Sequence, residues 1–281
     1  MMNIVVIGIG LIGGSMAMSV RGFETKIIGV DSSEKNLEKA KELGIIDVSM
    51  PLDQALLVAD LVLLSIPVDA AREMLPHILD TVHDETVVID AGSTKAGICG
   101  KVRNHPRRKN FVASHPMAGT EYSGPEAAMR DLFVGKKTII CESELSSEFA
   151  LKRAQTLYQM LGMTILYMNP EDHDKHIAYV SHLTHIIAYA LSITVQEIEK
   201  NEERIFEMAG SGFASTVRIA KSSSQMWTPI FRQNSKYLID SIDKYIDILN
   251  QFKTLIAENK TEDLYSLISD ANKIKEVLDR K

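Results

Sequence analysis

The 281-residue sequence has only two cysteines, Cys99 and Cys141, and a single tryptophan, Trp227. Two thiols are too few for a disulfide framework and lack the spacing of a metal site, so reduced cysteines in a cytoplasmic protein are expected. Aromatic residues are 6% of the chain and the net charge is -6. The densest basic run, Arg107-Arg108-Lys109, reads as a solvated turn, so there is no electrostatic footprint for nucleic acid. Charge is also missing from residues 3–20, which could pass for a membrane span. Gly8, Gly10, Gly13 and Gly14 interrupt that stretch and no basic region precedes it, which argues against both a span and a secretory signal. It reads instead as a buried strand, a tight turn and a buried helix, and no membrane attachment is expected. There is no internal repeat and no low-complexity segment.

What is present is the balance of a globular protein, 45% hydrophobic and 24% charged, with length enough for two domains. Runs rich in valine and isoleucine at 4–7, 26–30, 61–66, 86–90, 111–114 and 137–141 show little alternation, as expected of strands buried on both faces of a parallel sheet. Helical stretches at 33–43 and 68–79 separate some of them. Ser33 is a plausible N-cap, and Gly44 sits where a helix would stop. A last unit pairs a helix at 147–161 with a strand at 164–168. Strand then helix, repeated, predicts an α/β fold with a doubly wound, Rossmann-type sheet over residues 1–169.

Pro170 marks a boundary, because proline is poor inside either element. Beyond it the reading is all helical to residue 281. One run over 171–199 would be ~40 Å long at 1.5 Å per residue. Ile239, Ile242, Ile246 and Leu249, then Leu264, Leu267, Ile268 and Ala271, form apolar stripes on later helices. Such stripes need covering, so residues 170–281 are expected to form a helical substrate and dimerisation domain that makes a homodimer.

Gly8-Ile9-Gly10-Leu11-Ile12-Gly13 is a G-x-G-x-x-G pattern that follows an apolar strand and opens a helix, the context this motif requires. Gly8 would permit the tight turn, Gly10 would let the backbone approach a pyrophosphate, and Gly13 would let helix pack on strand. The amides at Leu11, Ile12 and Gly13 would face the phosphates. Asp31 ends the second strand about 20 residues on, where a carboxylate accepts from the adenosine ribose and repels a 2′-phosphate. The expected cofactor is therefore NAD rather than NADP.

Two further loops follow strands on the side where a parallel sheet places its ligands. In Asp90-Ala91-Gly92-Ser93-Thr94-Lys95, Ser93 presents a hydroxyl near the expected nicotinamide, or it caps the next helix. In Ser114-His115-Pro116-Met117-Ala118-Gly119-Thr120-Glu121, His115 stands at a strand end and suits general base work. His173, His176, His182 and His185 suggest a metal site. At 100° per residue, however, His182 and His185 share a face while His173 lies far round from His182, and no H-E-x-x-H occurs. No metal is expected.

His115 to Glu121 resembles the H-P-M/I-A-G-T-E motif of prephenate and arogenate dehydrogenases. Gly92-Ser93-Thr94-Lys95 is similar to the same family, as are His173-Asp174 with Ser181-His182-Leu183-Thr184-His185, and Arg218-Ile219-Ala220-Lys221-Ser222 with Met226-Trp227. With the glycine loop, the likeness runs from about residue 3 to about 235. It implies an NAD-dependent oxidative decarboxylation of prephenate in tyrosine biosynthesis, or of arogenate to give tyrosine directly. It further implies that His115 takes the proton of the substrate's 4-hydroxyl and that Ser93 holds that hydroxyl. Arg218 would grip a carboxylate, His185 and His173 would support substrate binding, Trp227 would shape the pocket wall, and Glu121 would sit at its mouth. The family ordinarily has proline where this chain has Thr184, which predicts a straighter helix and a changed setting for His185. A reductase of the wider Rossmann class would favour NADPH and a helical lysine, against Asp31 and the histidine loop. A non-catalytic NAD sensor would leave His115, Ser93 and Arg218 without a purpose.

Overall fold

The first strand, β1 (Met2–Ile7), is buried over its last four residues and leads through the glycine loop into α1 (Leu11–Val20). The computed structural model describes residues 1–22, 24–200 and 204–279, and the chain packs as two units, Met1–Ser235 and Lys236–Lys281. In the first unit there follow β2 (Thr25–Val30), α2 (Glu34–Glu42), β3 (Val48–Ser49), α3 (Leu52–Leu56), β4 (Leu61–Leu64), α4 (Val68–Thr81), β5 (Val87–Asp90) and α5 (Ala96–Val102). Then come β6 (Phe111–Pro116), β7 (Lys137–Cys141), α6 (Glu148–Met160) and β8 (Thr164–Met168). The strands form one sheet in the order β3-β2-β1-β4-β5-β6-β7-β8. The order reverses between β1 and β4, and this crevice is where such sheets bind ligands.

Local chemistry explains the helix starts. Ser33 accepts from Asn36 N at 3.3 Å and Ser147 from Ala150 N at 3.2 Å, so both begin helices as N-caps. Gly44 adopts φ 66° just past α2, the left-handed conformation that ends helices. Alternate strand residues feed two separate cores. Ile4, Val6, Leu63 and Ile89 pack with α1 and α6 on one face. Val5, Ile7, Val62, Val88 and Phe111 pack with α4 and α5 on the other.

The expected doubly wound sheet is present, with two differences. β3 is only two residues long, too short to leave a periodic signature. β7 pairs antiparallel with β6, while every other pairing is parallel. β8 lies at the sheet edge with Leu166 and Tyr167 exposed, although its apolar sequence resembles a buried strand.

After β8 the first unit becomes helical. The expected continuous helix over 171–199 is instead α7 (Pro170–Ile177), a π-helical segment (Ala178–His182) and α8 (Leu183–Glu199). By length and composition, Pro170–Glu199 is apolar enough to cross a membrane, and 22% of its most apolar window is buried. α9 (Ser211–Val217), a 3-10 turn (Arg218–Lys221) and α10 (Ser224–Gln233) follow. The final helices are α11 (Ser235–Ala257), α12 (Thr261–Asn272) and α13 (Ile274–Leu278). On α11 and α12 the striped residues Ile239, Ile246, Leu249 and Ile268 are exposed.

Phe111 is fully buried at the start of β6. Phe111→Ala is expected to cost about 3–5 kcal/mol, the range for truncating a packed aromatic ring. Urea unfolding followed by Trp227 fluorescence measures it, and an unchanged midpoint would remove Phe111 from the core.

Candidate active site

Gly8 has φ 90°, and a side chain there would meet the Ser65 carbonyl at 2.5 Å. Ser65 Oγ donates to Gly8 O at 2.8 Å and pins the loop, a role the sequence pattern did not reveal. Nothing lies within 4 Å of where a Cβ on Gly10 would be, so the backbone there is open to a ligand. The start of α1 has no side-chain cap, and its first amides, at Leu11, Ile12 and Gly13, lack helical acceptors. Gly13 packs against Gly8 O and Ser65 Oγ with no room for a side chain. Asp31 follows β2, where Oδ2 accepts from Ile9 N at 2.9 Å and Oδ1 from Ser33 N at 2.8 Å. One carboxylate thus braces the glycine loop and the turn after β2, with lone pairs left over for a ligand hydroxyl. These residues fit a dinucleotide.

At the same edge of the sheet, β5 and β6 run parallel with Asp90 beside Ala113. Their loops are locked by a buried ion pair. Asp90 accepts from Lys95 Nζ, from Gly92 N at 3.0 Å and from Ser114 N at 3.0 Å, while Lys95 Nζ also donates to Ser114 O at 2.7 Å. Ser93 is half-buried in the loop between Asp90 and Lys95. It does not cap α5, because the cap comes from another helix. Asp174 on α7 accepts from Lys95 N at 2.7 Å and from Ala96 N at 2.9 Å.

His115, the penultimate residue of β6, is 8% exposed. Its Nδ1 lies 2.9 Å from His173 Nε2, and His173 Nδ1 lies 2.7 Å from Asp174 Oδ1. Both nitrogens of His173 are therefore occupied, and its ring is 1% exposed. His173 thus stands behind His115. His173 and His182 are not remote either. Asn234 Nδ2 donates to Asp174 O at 2.7 Å and lies 3.0 Å from His182 Nδ1, bridging the two histidine segments. The π-helical segment is underwound relative to an α-helix, so 100° per residue does not hold across it.

His185 stacks on Trp227 with ring centroids 3.6 Å apart. Its Nδ1 is 3.0 Å from Ser181 O, which also accepts from the Thr184 hydroxyl at 2.5 Å. The irregular turn ends at His182, and Thr184 lies in the first turn of α8. Trp227 is buried with Val68, Ile230, Tyr189 and Phe231 packed around it. On the exposed side, Arg218 Nη1 donates to Glu121 Oε2 at 2.7 Å, joining the 3-10 turn to the loop after β6. Arg218 is 55% exposed and Glu121 15%.

Residues 15–167 match the family described as prephenate dehydrogenase, nucleotide-binding domain, and residues 169–270 its dimerisation domain. The chain belongs to the prephenate dehydrogenase family. A crystal structure of prephenate dehydrogenase from A. aeolicus, in complex with hydroxyphenyl propionate and NAD+, is 35% identical with a TM-score of 0.89, covering 99% of this chain and 98% of that one. The cyclohexadienyl dehydrogenase of Zymomonas mobilis is 29% identical, covering 96% of this chain and 94% of its own length. The prephenate dehydrogenase of Bacillus subtilis is also 29% identical, over 96% of this chain and 74% of its own.

Burial sets the electrostatics of this family member's site. It pushes His115 well below its ordinary value, helped by the neighbouring His173, Lys95 and His182. Burial likewise lowers His173, against the pull of Asp174, and lowers His185. His182 falls to about 4 for the same reason. These histidines are neutral in the folded protein at neutral pH. On acidification the unfolded chain takes up protons near pH ~6.5 while the folded chain does not, so stability falls as pH drops from there toward 4. The thermal midpoint is expected to be lower at pH 5 than at pH 7.5, and less pH-dependent in His182→Gln. A midpoint flat across this window would contradict burial of neutral histidines.

Proposed function

We propose that this chain catalyses the NAD-dependent oxidative decarboxylation of prephenate to 4-hydroxyphenylpyruvate, a step of tyrosine biosynthesis. The observation that carries this reading is the setting of His115, a buried neutral imidazole on the ligand-binding edge of the sheet, with one nitrogen engaged by His173. NAD, when bound along the glycine loop, supplies the hydride acceptor. Gly8, Gly10, Leu11, Ile12 and Gly13 hold its pyrophosphate on the uncapped start of α1, and Asp31 holds the adenosine ribose. Ser93 and His115 flank the substrate's 4-hydroxyl, and His115 Nε2 takes its proton as the C4–H bond breaks. Arg218 supplies a planar guanidinium for a carboxylate, with Glu121 fixing one of its nitrogens. Trp227 and His185 give the pocket a stacked aromatic wall. Once C4 is oxidised, loss of CO2 from C1 makes the ring aromatic, so the protein's task is alignment and one proton transfer.

We read residues 1–169 as the nucleotide half and 170–281 as the substrate and dimerisation half. A second copy would cover the exposed Ile239, Ile246, Leu249 and Ile268, together with Val180 and Ile193 of the apolar segment before residue 200. That assembly, rather than a lipid surface, accounts for the apolar helix, which carries Asp172, Asp174 and Lys175 near its start. Buried Cys99 and Cys141 suit a reducing cytoplasm.

NADH formation at 340 nm, with prephenate and arogenate offered in parallel, tests the reaction and the substrate together. Turnover of neither by protein that binds NAD would sink the proposal. His115→Asn is expected to lower kcat by about two to four orders of magnitude with NAD affinity intact; retained turnover would remove it as the base. Arg218→Ala is expected mainly to raise KM, as loss of a carboxylate clamp should, and an unaltered KM would end that assignment.

A further inference from the structure

A histidine acts as a base only through a nitrogen that carries no proton, and its hydrogen bonds decide which nitrogen that is. The deciding group here is a carboxylate, which can only accept. Asp174 receives Lys95 N at 2.7 Å, Ala96 N at 2.9 Å and His173 Nδ1 at 2.7 Å. His173 is therefore protonated on Nδ1, and in its neutral form Nε2 is an acceptor. Among the described residues the only group that Nε2 meets is His115 Nδ1, at 2.9 Å, which must supply the proton of that bond. His115 Nε2 is left bare.

We propose that Asp174 is a positioning residue of this active site, fixing His115 in its Nδ1–H tautomer through His173 and fixing the Ser93 loop through the amides of Lys95 and Ala96. The inference rests on the reading of His115 as base. One side chain on α7 thereby sets both loops that flank the substrate hydroxyl. It also places a negative charge in line behind His115, favouring the imidazolium formed when the proton arrives, as the buried aspartate of a serine protease does for its histidine. Here a second histidine is interposed, which carries the alignment from α7 to β6. The groups facing His115 are His173 and Asp174 from α7, Lys95 with Asp90 from the β5 loop, and His182 from the π-helical segment.

Nitrogen spectra of 15N-histidine-labelled, ligand-free protein read the tautomer without reference to activity, with His115 assigned by its loss in His115→Asn. The expected pattern is protonated Nδ1 and bare Nε2; the opposite tautomer overturns the proposal whatever the turnover. Asp174→Asn is expected to lower kcat at least about tenfold while KM and NAD affinity change less than about threefold. The acid limb of its kcat profile should move to lower pH, because a carboxylate behind the histidine pair raises its proton affinity. Lower thermal stability with an unmoved limb would make Asp174 a helix cap and nothing more. If Asp174→Asn does not fold, His173 supplies the test. His173→Gln can still accept from His115 Nδ1–H and should outpace His173→Leu by at least about tenfold in kcat, and equal losses overturn the proposal. Retained turnover in His115→Asn would defeat the base assignment instead, with the tautomer result standing separately.

Discussion

Asp90 and Lys95 are at most 1% exposed, yet both carry charge. Taking such groups out of water costs several kcal/mol each, and attraction offsets this only where the remaining hydrogen-bonding capacity is used. Here much of it is used on the backbone: Gly92 N and Ser114 N donate to Asp90, and Ser114 O accepts from Lys95. The pair therefore holds the ends of two adjacent strands at a fixed offset. Ser93 lies inside the span between its partners, and His115 is the residue after Ser114. Truncating one partner alone would leave an unmatched buried charge, typically about 3–5 kcal/mol of destabilisation. The chemistry at the sheet edge is built on this strap.

A second layer of polar contacts joins helices to that strap. Asp174 reaches the start of α5, and Asn234 reaches Asp174 and His182. Residues far apart in the chain thus share one hydrogen-bonded cluster, although the family matches place them in separate segments on either side of residue 168. The exposed side is more economical. Among the described residues one hydrogen bond, from Arg218 to Glu121, links the helical segment to the loop after β6. On the nucleotide side, Asp31 serves a similar double purpose between Ile9 and Ser33.

Much of this was legible in the sequence, for reasons that differ by element. β1, α1 and the glycine loop were readable because strand, turn and phosphate-facing helix impose glycine at fixed offsets. α2 announced itself through Ser33 and Gly44. β8 was legible as a strand, but its exposure at the sheet edge is a tertiary fact that the composition of Ile165 to Met168 does not carry. The antiparallel direction of β7 left no local trace, since strand sequence does not encode the neighbour's polarity. His173 was drawn to the substrate by its motif, yet its position behind His115 depends on a contact spanning 58 residues. Asp174 and Lys95 stood within motif segments but with no role of their own, and Asn234 lay in a polar run that gave no sign of burial. The π-helical turn was hidden altogether, because an extra residue in a helix changes phase without changing composition.

The burial of His115 has a consequence for proton traffic. In the proposed reaction the 4-hydroxyl gives up its proton as hydride departs from C4. When CO2 then leaves, the bonding electrons enter the ring and the same oxygen becomes a phenolate, a far better proton acceptor than the ketone it passed through. The proton held on His115 Nε2 can return to the atom it came from. Reactants and products then balance with no proton released to solvent, so the imidazole ends each cycle as it began. A base closed off from bulk water would ordinarily need a conduit to reset itself; in the proposed reaction His115 would complete its cycle with the substrate alone.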